Sequence, residues 1–221
     1  MENILSQTYL ETVISEANRK EKFIDFSGKN IEGFVLSDCH IKVPFSFKNT
    51  RILGQIYFYN VIFEKELNFE KAIFNKTFFA SDCQLKENLI CKRISVKESF
   101  NFIGNTFRKD INLEGAQIRG FLSLNRSKII GKANFKNITI LSLEKKTTKI
   151  IGNFYFENAI LNNANFKNLT IDGSLNLKDT IFLKKFSFAN LKIKGDFIIT
   201  NKDVLKAKIN ERKKLESEER E

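Results

Sequence analysis

The chain contains no tryptophan and only one histidine, one methionine and one proline in 221 residues. With a single imidazole, His40, catalysis or metal binding that needs paired histidines is out of reach. The three cysteines, Cys39, Cys83 and Cys91, are odd in number and have no metal-ligand spacing; Cys83 and Cys91 fall in or beside the apolar slots and read as small buried hydrophobes, and a reducing cytoplasm is the expected home. The opening MENILSQTYLETVISEANRK has neither a basic start nor an unbroken apolar run, so no secretory signal is expected. No stretch approaches the roughly 20 apolar residues of a membrane-spanning helix. The ten glycines are scattered and none sits in a glycine-rich run opening a helix, so no phosphate loop is read. Asp38, Asp82, Asp110, Glu114 and Asp179 belong to no linked acid–base or metal pattern. The sequence therefore predicts no enzyme, no cofactor and no metal.

What it has in abundance is phenylalanine, 23 residues, within a hydrophobic fraction of 42%. A lattice of equivalent internal slots would produce that bias, and so would an AT-rich genome. The formal charge is +11, from 37 basic and 26 acidic residues. Such an excess favours polyanions or anionic surfaces and says nothing about fold.

The large apolar residues recur at a fixed period, and internal repetition outranks local propensity as a guide to architecture. Phe26, Ile31, Leu36 and Ile41 are five apart. From Phe47 steps of five and six alternate: Phe47, Ile52, Phe58, Phe63, Phe69, Phe74, Ala80, Leu85, Cys91, Val96, Phe102, Phe107, Leu113, Ile118, Leu124, Ile129, Phe135, Ile140. On a helix those steps turn about 500° and 600°, so the residues would share no face. Many units instead read apolar, polar, apolar, as in Ile56-Tyr57-Phe58 and Leu67-Asn68-Phe69, the pattern of a very short strand.

Two residues after the second slot of several units stand Gly54, Lys65, Lys76, Gly120, Gly131, Gly173 and Gly195, where glycine suggests a corner with positive φ. Two residues before many slots the side chain is small, as in Thr50, Ala72, Cys83, Ala116 and Ser127, although Ile94 and Ile138 are not. The frame is lost between Ile140 and Phe156, so residues 144–149 read as a protruding charged loop or irregular corner. It resumes at Phe156 with a step of five from Leu161 to Phe166 where six is expected, then runs through Phe188 to Ile199.

Residues 6–20 pattern as a helix with Leu10, Val13, Ile14 and Ala17 on one side and Ser6 or Thr8 as cap. It would cover the open end of the first coil. Residues 202–219 pattern as a second helix, either capping the last coil or pairing with another chain. The expected domains are thus a capping helix at 1–21, repeats at 22–200 and a C-terminal helix at 201–221.

Ala133-Asn134-Phe135-Lys136-Asn137 and Ala164-Asn165-Phe166-Lys167-Asn168 carry a small residue, an asparagine and a central phenylalanine in a five-residue unit. In this the chain resembles the pentapeptide-repeat proteins. The resemblance implies a right-handed four-sided β-helix over residues 22–200, with central residues pointing inward. The chain departs from the family in its many six-residue units, which lengthen a four-sided coil to 22 residues. Residues 22 apart should then stack, with Phe47, Phe69, Leu113 and Phe135 in one ladder and Phe58, Phe102 and Leu124 in another; Phe166 and Phe188 extend the core. The rival geometry, a flat helix with 11 residues per coil, leaves only two large inward residues per coil.

The function then has to lie on the outer surface. Residues 1–25 carry three basic and five acidic groups and residues 202–221 seven and six, leaving +12 on the rod between them. Lys92, Arg93, Lys97, Arg108, Lys109, Arg119, Arg126 and Lys128 are expected to face outward and would bind nucleic acid or an anionic surface if they shared one face. Some members of the resembled family bind type II topoisomerases by imitating DNA, but a basic rod is a poor copy of a polyanion. A protein-binding scaffold without chemistry, monomeric or dimeric through a terminal helix, is the leading expectation.

Overall fold

The computed structural model describes residues 4–141, 143–144, 149–150 and 153–200. The expected C-terminal helix and the tip of the charged loop lie outside the described residues. Within them the chain is an all-β parallel solenoid of about eight coils. Each full coil contributes four short strands, one to each of four walls. Phe45–Ser46, Leu67–Asn68 and Leu89–Ile90 stack in the first wall; Arg51–Ile52, Ile73–Phe74 and Ser95–Val96 in the second. The third wall stacks Ile56–Tyr59, Phe78–Ser81 and Phe100–Ile103, and the fourth Ile62–Phe63, Gln84–Leu85 and Thr106–Phe107.

The register fits the arithmetic of the repeat. Leu67 pairs with Phe45 and Leu89, and Phe78 with Ile56 and Phe100, each 22 positions apart. The first coil, built of plain five-residue units, is shorter, with Ile31 beside Ile52. Between Ile140 and Ile171, which are neighbours in the second wall, the coil grows by an insertion. There Leu143–Glu144 and Lys149–Ile150 pair antiparallel, after which Phe154 resumes the stack beside Leu122. The short step at Phe166 is absorbed by a register shift between strands Lys128–Asn134 and Ile160–Asn165.

Inside, the side chains form continuous ladders. Phe47, Phe58, Phe69, Phe102, Leu113, Leu124, Phe135, Phe166 and Phe188 are all buried. Phe47 stacks on Phe69 with ring centroids 4.9 Å apart and planes 11° apart, and Phe166 stacks on Phe188 at 4.9 Å and 18°. Rings of opposite walls meet across the core, as in Phe69 and Phe78 at 5.6 Å. Each buried ring contributes roughly 1.5–3 kcal/mol relative to exposure. Coil-to-coil hydrogen bonds satisfy the backbone that this burial removes from water.

The corners differ from the expectation. Of the glycines placed two residues after a second slot, Gly120 has positive φ, at 112°, but Gly54, Gly131 and Gly195 do not. The left-handed residues lie at the other two corners, in two vertical files. Asn49, Lys71, Arg93, Gly115, Asn137, Asn168 and Asn190 form one; Asp38, Asn60, Asp82, Gly104, Arg126, Asn158 and Asp179 form the other. Asn and Asp tolerate this conformation better than other non-glycine residues, because their short side chains hydrogen-bond locally. Asn60 donates to Asp38 at 2.8 Å, and Asn190 to Asn168 at 3.0 Å. Gly54 and Gly131 are glycine for a different reason, since a Cβ there would lie 2.5 Å from the Gly33 nitrogen and 2.3 Å from the Lys109 carbonyl carbon. Close approach of successive coils, rather than a left-handed turn, selects glycine at these corners.

The small positions and the Asn-before-centre pattern also have physical causes. The Thr50 hydroxyl donates to the Phe26 carbonyl at 2.7 Å and the Thr180 hydroxyl to the Phe156 carbonyl at 2.7 Å, satisfying oxygens at the tight corners. The side chains of Asn68, Asn112, Asn134 and Asn165 each accept from the backbone N–H two residues on, at 2.9–3.1 Å. These Asx turns hold the chain as it leaves each inward residue.

The N-terminal segment contains an unexpected strand. β1 (Ile4–Leu5) pairs parallel with Asn30–Ile31 and starts the second wall, ahead of α1 (Gln7–Arg19). Ser6 is the helix cap and accepts from the Tyr9 N–H. Leu10 and Ile14 are buried against the first coil, with Val13 and Ala17 packed beside them. Asn18 acts as a surrogate strand for the fourth wall: its amide donates to the His40 carbonyl at 2.6 Å and accepts from the Lys42 N–H at 2.7 Å. The open sheet edges at this end are thereby covered.

Candidate interaction surfaces

The eight basic residues that would form a stripe if they shared one face fall into two groups on opposite sides of the rod. Lys92 follows the first wall, Arg93 occupies the adjoining corner, and Lys97 and Arg119 succeed one another on the second wall. Arg108, Lys109 and Lys128 belong to the fourth wall, with Arg126 at the corner leading into it. No single stripe contains them all.

On the first wall the residues just after the inward slots run Lys48, Glu70, Lys92, Glu114, Lys136 up successive coils. Lys48 meets Glu70 at 2.9 Å and Lys136 meets Glu114 at 3.9 Å. The Lys48 hydrogen bond holds the Glu70 carboxyl below the usual carboxylate range. This alternation neutralises the wall from within. On the fourth wall Glu64 takes a hydrogen bond from Lys86 at 2.5 Å and contacts His40, and these two partners, Lys86 first, lower its pKa. His40 is therefore part of a surface ion cluster on the first strand pair of that wall.

The thiols are chemically quiet. Burial raises the Cys83 pKa to about 11 and also raises that of Cys91, in a main core slot, well above the usual thiol value. Burial also raises that of Cys39, which is half-exposed beneath α1. Among the described residues no group of three or more His, Cys, Asp or Glu side chains is placed to hold a metal. No described helix is long and apolar enough to cross a membrane.

The third wall is different in kind. Its eight strands contain no charged residue, although 29% of the chain is charged. In the first five coils the side chains that alternate with its inward ones are Val35, Ser37, Tyr57, Tyr59, Phe79, Ser81, Asn101, Ile103, Ser123 and Asn125, of which Ser81, Asn101 and Ser123 are buried. Val35 is 47% exposed, Tyr57 37% and Tyr59 53%. The Tyr57 and Phe79 rings are neighbours at 6.2 Å. Asn101, deep in the strip, has a buried side-chain oxygen with no hydrogen-bond partner. At the edge of this wall Gly33 and Gly54 floor a groove of about 500 Å³ between Ile4, Val35, Leu53 and Tyr57. Sequence reasoning passed over this surface because each of its residues, taken singly, looks like an ordinary strand residue. The available signal was the absence of charge at one position of every coil.

No family model, curated protein or solved structure matches the chain.

Proposed function

We propose that the chain is a divergent pentapeptide-repeat-like scaffold that binds another protein through its third wall and has no chemistry of its own. The observation that carries this reading is the strip from Val35 to Asn125, free of charge and bearing exposed aromatic rings on an otherwise charged rod. Protein interface cores are depleted in charge and enriched in Tyr and Phe. The walls of a solenoid are extended and stiff, which suits display of a long contact surface. The adjoining groove offers a recess for an apolar anchor from the partner. Protonated, buried thiols accord with a reducing compartment.

The DNA-mimic reading raised by the family resemblance needs a continuous negative wall. Asp38, Asp82 and Asp179 do share one corner file, but Arg126 interrupts it and the walls on either side supply no acidic row. That arrangement favours the scaffold reading.

The test is affinity capture with the wild-type chain, with Tyr57→Glu combined with Phe79→Glu, and with Arg108→Glu combined with Lys109→Glu. A partner captured by the wild type and by the fourth-wall variant, but lost from the third-wall variant, supports the reading. A partner that the third-wall variant retains refutes it.

A further inference from the structure

We infer that the C-terminal part of the fourth wall is a docking surface for anionic lipid bilayers. This goes beyond the proposed scaffold role and rests on a different wall. Lys128, Ile160 and Ile181 are register neighbours on three successive coils. Two positions along each strand, Ile130 lies beside Asn162, whose amide donates to the Ile130 carbonyl at 2.6 Å, and Leu183 follows on the last coil. Ile130, Ile181 and Leu183 are 41%, 50% and 58% exposed. Lys128, Lys132, Lys184 and Lys185 surround them and are all exposed.

The wall changes character along the rod. Its acids, Glu64, Glu66, Glu87 and Asp110, belong to the earlier coils, and among the described residues it carries no carboxylate from Lys128 onward. Of the nearest ones, Asp110 lies at the patch's leading edge, where it accepts from the Lys132 backbone N–H at 2.8 Å, and Asp179 at the corner accepts from Thr200 at 3.1 Å. The result is an aliphatic centre flanked by exposed lysines on a wall about 10 Å wide across three strands.

That combination selects its partner. Lysines alone would attract any polyanion, and a nucleic acid would gain nothing from the exposed Ile and Leu side chains. A bilayer surface uses both: ammonium groups meet lipid phosphates while aliphatic side chains enter the boundary between headgroups and acyl chains. Arg108 follows Phe107, the register partner of Ile129, and Arg126 stands at the corner before Lys128, but among the described residues of the patch no exposed aromatic side chain of the kind that stacks on bases is present.

The experiment is co-sedimentation of the full chain with vesicles of phosphatidylcholine, with and without roughly one third phosphatidylserine. The expected result is binding to the anionic vesicles and none to pure phosphatidylcholine. Each lysine near the surface is worth about fivefold in affinity, so Lys184→Gln with Lys185→Gln should weaken binding by about 25-fold. Leu183→Ser, with an unchanged melting curve, should weaken it by about fivefold or more while leaving any retention of a short DNA duplex unaltered. Absence of vesicle binding at low salt overturns the inference. So does wild-type vesicle affinity for Leu183→Ser, or an equal loss from Lys97→Gln with Arg119→Gln on the opposite wall, since either would mean a diffuse basic attraction instead of this patch.

Discussion

Gly28 and Gly33 lie five residues apart in the first coil and are glycine for different reasons, so alanine at each separates the two corner mechanisms. Gly28 has φ of 69° and open space around its missing Cβ. An alanine there meets only the left-handed penalty, about 1 kcal/mol. Gly33 has no positive φ, but a Cβ would lie 1.9 Å from the Gln55 carbonyl oxygen and 2.5 Å from the Gln55 nitrogen on the next coil. Relieving that overlap requires the two coils to part locally by at least about 1 Å. The Leu53 N–H to Ile31 carbonyl bond, now 2.9 Å, would stretch beyond useful length. Overpacking and one or two lost hydrogen bonds together amount to about 3 kcal/mol. For a chain of this size that corresponds to a melting decrease of about 6–12 °C for Gly33→Ala against about 2–4 °C for Gly28→Ala. Thermal unfolding followed by far-ultraviolet circular dichroism measures both, and limited proteolysis shows whether the opening starts at the N-terminal coil. Equal losses, or a larger loss at Gly28, would refute the argument that coil contact selects glycine at the Gly33 and Gly54 corner.

Two further outcomes follow from the core. Phe102 is buried among Phe78, Phe100 and Phe107 at 5.1, 5.1 and 5.5 Å, so Phe102→Ala should destabilise by about 3–5 kcal/mol, and an unchanged urea midpoint would contradict its inward placement. The Cys83 thiol, raised by burial from 9.0 to about 11, stays protonated in the fold while its unfolded counterpart ionises. Its contribution is therefore intact below about pH 9 and is lost as pH climbs towards 11, so the stability gap between wild type and Cys83→Ala should narrow over that interval. A constant gap, measured by urea unfolding at each pH, would mean that Cys83 is not buried as described.

The architecture was legible because each inward slot repeats its chemistry. A period of alternating five and six leaves no helical face, and four such steps fix the 22-residue stacking that places Phe47 on Phe69. The asparagines before Phe135 and Phe166 were legible as pattern, though their reason, acceptance from the N–H two residues on, is a matter of local geometry. β1 escaped notice because two residues before a helix carry no period. The glycine corners were misassigned because a residue chosen for φ and one chosen for lack of bulk look alike in sequence. Only the neighbouring coil distinguishes Gly28 from Gly33.

The surface followed a harder rule. Sequence by itself determined that the chain repeats, that its large apolar residues face inward, and that an excess of positive charge must lie outside. It could not say which charges are neighbours, because outward residues on one wall are 22 or more positions apart while residues adjacent in sequence often turn onto different walls. Coil stacking decided that Lys48 and Glu70 neutralise each other, that the eight outward basic residues divide between opposite sides, and that Tyr57 and Phe79 share an uncharged wall. It also brought Ile130, Ile181 and Leu183 together among exposed lysines. Burial is a property of each residue's own phase in the repeat, whereas a binding surface depends on the register between coils, and that register exists only once the chain has closed upon itself.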